Sequence, residues 1–328
     1  MAELTVCMNV YNGAEFLKDS IGSVLRQTLQ DFVLFIYDDG STDNTVEVVK
    51  SFHDERIKLV EGGENKGVLY SRAQMIPMIE TEYFMWLDDD DFFCRDDALE
   101  TALNLAKSGD YDIVNFPTIH FILANGREMD INNGQKDEFE YHGNMFFRYH
   151  YPVSFHHLFV SKIIRTSIAK RSIPEEEITS RRFAADDVFF GSMMLFLTEK
   201  YFHAASQAPI YAYHSDIGVW GSRNKDFSPE RINELCDLEY HVLLSLYRRM
   251  TAIRPLSPTE LLKLVEGVDI VDVQNRIRSV KDPQCYYKFN ELKNIWYKWF
   301  CADGVHLLNG VDEFALPDYV RWLNERMN

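Results

Sequence analysis

Two stretches decide how this chain is read: Phe32-Val33-Leu34-Phe35-Ile36-Tyr37-Asp38-Asp39-Gly40-Ser41 and Tyr83-Phe84-Met85-Trp86-Leu87-Asp88-Asp89-Asp90-Asp91. Each is a short apolar run that ends in carboxylates. Runs of this length, with aromatic and β-branched residues, read as buried strands. Carboxylates crowded where a buried strand emerges repel one another, and a divalent cation bridging an anionic ligand relieves that repulsion. In open α/β sheets, ligands sit at the carboxyl ends of the strands. The two stretches therefore predict a metal-nucleotide site on a parallel sheet.

The flanking sequence supports that sheet. Residues 4–10 read as a first strand closed by a Tyr11-Asn12-Gly13 turn. Phe16, Leu17, Ile21, Val24, Leu25 and Thr28 then recur at helical spacing. After the strand at 32–37, Gly40-Ser41-Thr42-Asp43 offers caps for a helix carrying Val46, Val48, Val49 and Phe52. A strand at 57–60, the loop Gly62-Gly63-Glu64-Asn65-Lys66-Gly67, a helix from Tyr70 to Ile79 and a strand at 83–87 follow. Strand–helix alternation with short turns is the pattern of a mostly parallel sheet covered on both faces.

Further along, Tyr111–Phe116 reads as a strand, and Ala124-Asn125-Gly126-Arg127 as the turn of a hairpin. Ala185-Asp186-Asp187 precedes an apolar helix from Phe189 to Leu197. From residue 226 the texture is helical. Ser228-Pro229 and Ser257-Pro258-Thr259-Glu260 are helix starts, the second a capping box. The expected organisation is a catalytic domain over 1–225, with a nucleotide-binding half at 1–100 and an acceptor half at 101–225, then a helical region at 226–328.

The chain has 328 residues, 46% of them hydrophobic, and a formal net charge of −17. That acidity argues against nucleic acid or an anionic membrane surface as main partner, since both demand a basic footprint. The five cysteines are scattered, which predicts neither a disulfide framework nor a zinc site and points to a reducing cytoplasm. No secretory leader is expected at Met1-Ala2-Glu3, and the longest apolar stretch, near Met193–Leu197, is too short to cross a bilayer.

Val10-Tyr11-Asn12-Gly13, Gln27-Thr28, Asp38–Thr45, Asn65-Lys66-Gly67, Ser71-Arg72 and Leu87–Asp91 fall in order at familiar spacing. Together they resemble the family 2 inverting glycosyltransferases of GT-A fold. The resemblance is close over residues 4–100 and looser over 180–215, and does not extend to the C-terminal third. It implies an α/β, Rossmann-like domain that transfers one sugar from a UDP-sugar to a glycan or lipid-linked acceptor with Mn²⁺ or Mg²⁺. It also implies work in the cytoplasm or at the inner face of the membrane, with peripheral membrane contact and a homodimer as further options. Bacterial surface polysaccharide synthesis is the implied setting.

By the same resemblance, the nucleotide side of the site is Val10, Tyr11, Asn12, Asp39, Asn65, Arg72, Asp88 and Asp89. Asp39 would accept from the uracil imide while Tyr11 packs on the ring; cytosine offers no donor at that edge. Arg72 would lie near base and diphosphate. Asp88 would touch the ribose and Asp90 the metal, with Asp88 and His214 as further metal candidates; the run of four acids leaves the register open by one residue. Oxygen ligands suit Mn²⁺ or Mg²⁺. The general base is Asp187, or else Asp186, which could instead cap the helix. Asp38 reads equally as a turn former.

The basic residues Lys162, Arg165, Lys170, Arg171, Arg181 and Arg182 could meet phosphates or form a solvated face balanced by Glu175–Glu177. Three features depart from the family pattern. Asn9 stands where a proline is usual, Ser71 replaces a small apolar residue, and no processive-synthase signature follows Asp187. A nucleotidyltransferase, a glycosidase and an inactive nucleotide-sugar binder are the competing classes. The first needs a glycine-rich phosphate loop near its first strand, which residues 11–16 do not supply, and the second would need no nucleotide.

Overall fold

The computed structural model describes residues 2–122, 127–131, 137–146, 160–174, 186–214, 242, 245–257, 260 and 264. The chain divides into two compact units, residues 1–149 with 154–224, and 150–153 with 225–328.

In the first unit the expected alternation is present. It runs β1 (Leu4–Val10), α1 (Leu17–Leu25), β2 (Phe32–Asp38), α2 (Thr45–Lys50), β3 (Ile57–Glu61), α3 (Val68–Met78) and β4 (Tyr83–Trp86). β1, β2 and β4 are buried almost throughout, which is why they read as unbroken apolar runs instead of alternating ones. β1 pairs in parallel with β2, from Leu4↔Phe32 to Val10↔Asp38, and on its other edge with β4, from Leu4↔Tyr83 to Cys7↔Trp86. The chain thus steps from β1 to β2 and β3 on one side and returns to β4 on the other. The crevice beyond the strand ends at such a reversal is where open α/β sheets bind ligands.

The remaining elements are β5 (Phe92–Phe93), α4 (Ala98–Gly109), β6 (Ile113–Asn115), β7 (Thr118–Ile122), β8 (Arg127–Ile131), β9 (Phe139–His142), β10 (Lys162–Arg165), α5 (Thr166–Arg171), α6 (Asp186–Leu197), β11 (Lys200–His203) and β12 (Tyr211–His214). They extend the main sheet to the order β3-β2-β1-β4-β10-β6-β11-β9 and build a second sheet, β5-β12-β7-β8. Within the main sheet only β10 and β9 run against the rest. β7 and β8 form the expected hairpin, although its turn at 123–126 lies outside the described residues.

Some boundaries differ from the sequence reading. α3 begins at Val68, two residues before Tyr70, because Gly67 (φ 92°) provides the break. The 111–116 strand shrinks to Ile113–Asn115. β10 was not anticipated: its apolar content is two residues, and its charged ends resemble a surface segment.

Gln27, at the end of α1, is fully buried and ties this helix to the next layer. Its amide donates to the Ser23 and Arg95 carbonyls at 3.0 and 2.7 Å, and its carbonyl accepts from Leu99 N–H at 3.0 Å. Here the family-like Gln27-Thr28 pair has a structural cause.

In the second unit the Ser257 capping box is present. Glu260 accepts from Ser257 N–H at 2.8 Å and Ser257 Oγ from Glu260 N–H at 3.3 Å. The expected helix start at Ser228-Pro229 lies outside the described residues. Among the described residues no helix is long and apolar enough to cross a membrane.

Replacing Gln27 with Ala strands the Leu99 amide and the Arg95 carbonyl in the core. Urea unfolding should show a loss of about 2–4 kcal/mol, with the far-UV circular dichroism of the folded fraction retained.

Candidate functional site

Three strand ends meet at the reversal of the sheet. At the end of β1, Val10 is buried and its carbonyl accepts from Asp39 N–H at 2.8 Å. Asn12 takes a left-handed conformation (φ 54°), which Asn tolerates better than most residues. Its N–H donates to Ser41 Oγ at 2.9 Å, and its side-chain carbonyl accepts from Thr42 N–H at 2.8 Å. The loops after β1 and β2 are therefore one unit, and they leave Tyr11 47% exposed on the rim.

Asp38 accepts from Ser41 N–H, both oxygens lying 3.2 Å away, so it shapes the turn. Asp39 is buried, and its carboxylate accepts from Lys66 N–H at 3.0 Å and Gly67 N–H at 2.7 Å. Those amides open α3. Gly40 (φ 76°) allows the approach: a Cβ there would stand 2.6 Å from the Glu64 carbonyl carbon and 2.7 Å from Asn65 N. Asn65 thus lies in the loop packed against Gly40.

α3 carries Arg72 into the centre, where it is 3% exposed. Its guanidinium donates to Asn9 Oδ1 at 3.2 Å, to Asp88 Oδ1 at 2.8 Å and to Asp187 Oδ1 at 3.1 Å, and stands 4.9 Å over the Trp86 ring. A buried cation needs such compensation; removing one member of a buried pair costs about 3–5 kcal/mol. Asp88 and Asp187 are 99 residues apart in sequence and share one guanidinium. Asp187 lies in the first turn of α6, which Asp186 begins.

The acidic turn after β4 divides its labour. Asp88 faces Arg72. Asp89 packs against Gly13, where a Cβ would come 2.1 Å from Asp89 Oδ2. Asp91 is 1% exposed and accepts from the Tyr211 hydroxyl at 2.6 Å and from His214 N–H at 2.8 Å. The same hydroxyl accepts from Asp88 N–H at 3.2 Å. Burial first, then Asp90 and Asp187, push Asp88 up to about 6 against the pull of Arg72. Burial likewise raises Asp89, Asp90 and Asp91. In the structure Asp91 is held by protein groups, and Asp90 is not among the groups bound by Arg72 or Tyr211. The His214 ring packs edge-on to Phe16 and Phe92, with centroids 6.3 and 6.0 Å away. Among the described residues no group of three or more His, Cys, Asp or Glu side chains is arranged to hold a metal.

The basic cluster is dispersed. Arg165 pairs with Glu82, Asp110 and Asp112; Lys170 donates to the Ile79 carbonyl at 2.8 Å; Lys162 is buried. Arg181, Arg182 and Glu175–Glu177 lie outside the described residues. Sequence reasoning missed Asn9, Tyr211 and the clamping role of Asp91. For Tyr211 the signal would have been a polar group in an otherwise apolar strand, which is weak because a tyrosine there reads as packing.

Tyr211→Phe removes a donor from a buried carboxylate and an acceptor from the Asp88 amide while keeping the ring. A stability loss of about 1–3 kcal/mol in urea is the expected outcome.

Glycosyl transferase family 2 matches residues 5–168. A teichoic acid poly(glycerol phosphate) polymerase of Staphylococcus epidermidis is 37% identical over 95 residues, 28% of this chain and 13% of that protein. A UDP-Glc:alpha-D-GlcNAc-diphosphoundecaprenol beta-1,3-glucosyltransferase of Escherichia coli is 31% identical over 119 residues, 34% of this chain and 47% of that one. The chain spans less than half the length of these curated relatives. Staphylococcus aureus TarS 1-349, solved with UDP-GlcNAc, superposes with a TM-score of 0.55 at 16% identity, covering 88% of this chain and 83% of that chain. That likeness shows the fold, which is the GT-A fold. The ordered motifs, the strand reversal they occupy and the family match agree: the chain belongs to glycosyl transferase family 2.

Proposed function

We propose that this chain is a metal-dependent inverting glycosyltransferase. It moves one sugar from a UDP-sugar to a hydroxyl of a glycan or lipid-linked acceptor in bacterial surface polysaccharide synthesis. The observation that carries the reading is the Arg72 guanidinium joined to Asp88 at 2.8 Å and Asp187 at 3.1 Å beside the strand reversal. A nucleotide-side acid and a candidate base, distant in sequence, share one guanidinium.

Each residue has a distinct task in this reading. Asp39, fixed by two backbone amides, keeps lone pairs for the imide N–H of uracil, and the exposed Tyr11 ring covers the base. Asn12, Asn65 and Val10 shape the loops that hold them. Asp88 faces the ribose and Arg72 the diphosphate. The Asp187 carboxylate takes the proton of the acceptor hydroxyl as its oxygen attacks the anomeric carbon. The bond from that carbon to the diphosphate oxygen breaks on the opposite face, and UDP leaves with the electron pair. Asp186 is the neighbouring alternative for the base.

The acidic turn suits a hard cation. Its carboxylates are desolvated and mutually crowded, a condition a positive charge relieves. Asp90 would hold Mn²⁺ or Mg²⁺, with Asp88 near and His214 buttressing the turn. One or two carboxylates suffice when diphosphate oxygens and water complete the shell. Bound there, the ion neutralises charge on the diphosphate. The second unit would shape acceptor binding, and the enzyme would work in the cytoplasm at the inner face of the membrane.

Calorimetry with UDP tests the donor half: binding should strengthen at least about tenfold with Mn²⁺, and Asp90→Asn should abolish that increment while circular dichroism stays unchanged. Equal binding with and without the ion would reject the metal assignment. Asp187→Asn should keep donor affinity and lower transfer by about 10²–10⁴-fold. Near-normal turnover would move the base to Asp186 or elsewhere.

A further inference from the structure

Lys162 is 3% exposed, in the middle of the main sheet. A lysine is almost never buried this deeply without a compensating partner. Side chains alternate along a strand, so Lys162 shares a face with Ile164, and Ile164 pairs with Phe84. Lys162 therefore projects to the face that carries Phe84 and Trp86, the face on which Arg72 stands over the Trp86 ring. Asp187 reaches the same place from α6. Burial pulls the Lys162 ammonium down to about 7, and the Asp187 carboxylate is the neighbour that favours its charged form. Among the described residues, the charged and titratable groups around Asp187 include Arg72 of α3, Asp88 after β4, Lys162 of β10 and Tyr213 of β12.

Arg72 cannot serve Asp187 alone. It already binds Asp88, and a donor diphosphate would add further negative charge to its surroundings. We infer that Lys162 is a positioning residue for Asp187: its ammonium supplies a second cation that holds the carboxylate in place while Arg72 is engaged with Asp88 and the donor. The inference rests on the reading of Asp187 as the base. It explains why β10 spends an interior position on a lysine where valine or isoleucine would pack at no electrostatic cost.

Two measurements test it on the full-length protein. In the first, Lys162→Met should lower turnover with the active UDP-sugar about 10- to 100-fold while donor KM stays within about twofold, and Lys162→Arg should recover much of the loss. Unchanged turnover in Lys162→Met, or a raised donor KM with unchanged kcat, would overturn the inference. In the second, the Lys162 resonance in ¹³Cε-lysine spectra, assigned with Lys162→Arg, is titrated in the wild type and in Asp187→Asn. Its midpoint should fall when the carboxylate is removed, and an unmoved midpoint would overturn the pairing even if Lys162→Met failed to fold. Absence of transfer by the wild-type protein from every sugar nucleotide would instead count against the proposed function, and the titration would still decide whether Lys162 and Asp187 act together.

Discussion

A fully charged guanidinium enclosed in the fold is the constraint on which the site depends. Arg72 has almost no access to water, so its charge must be met by protein groups or the helix that bears it cannot dock. Asn9, Asp88, Asp187 and the face of Trp86 meet it, from three separate chain segments. Docking of α3 onto the sheet, closure of the acidic turn and seating of α6 are therefore coupled electrostatically. The same coupling bears on the proposed chemistry: the acids that neutralise Arg72 are the ones assigned there to the donor and the acceptor.

The acidic turn shows how a fold tolerates repulsion at a strand end. Four consecutive carboxylates would repel one another if all pointed the same way. Here Asp88 goes to a guanidinium, Asp89 packs against a glycine, and Asp91 goes to a phenol and an amide. The second sheet provides this last clamp through β12, so it acts as a buttress for the first. A small sheet that fixes the backbone of the turn also fixes the direction of the carboxylates that leave it, which is what an ion or a ribose would read.

Much of this architecture was legible in residues 4–91. Buried parallel strands announce themselves as unbroken apolar runs, and the acids at their ends mark the carboxyl edge because nothing else tolerates such crowding. Gly40 and Gly67 were visible as loop residues, and both have positive φ here. The capping box at Ser257 was legible for a similar reason, since its partners are three residues apart. β10 was not, because two isoleucines between charged residues carry no periodicity. Lys162 was read within a basic cluster that could meet phosphates or form a solvated face, whereas its environment depends on strands β4 and β6, far away in sequence.

The sequence by itself determined the class of fold and the identity of the acids, because local apolar runs and short-range turn chemistry suffice for both. Which acid faces which cation was decided only by the tertiary structure. The pairing of Asp88 with Asp187 through Arg72, the withdrawal of Asp91 onto Tyr211 and the burial of Lys162 all join segments remote in the chain. A charge reveals its role only when the packing around it removes the water that would otherwise screen it.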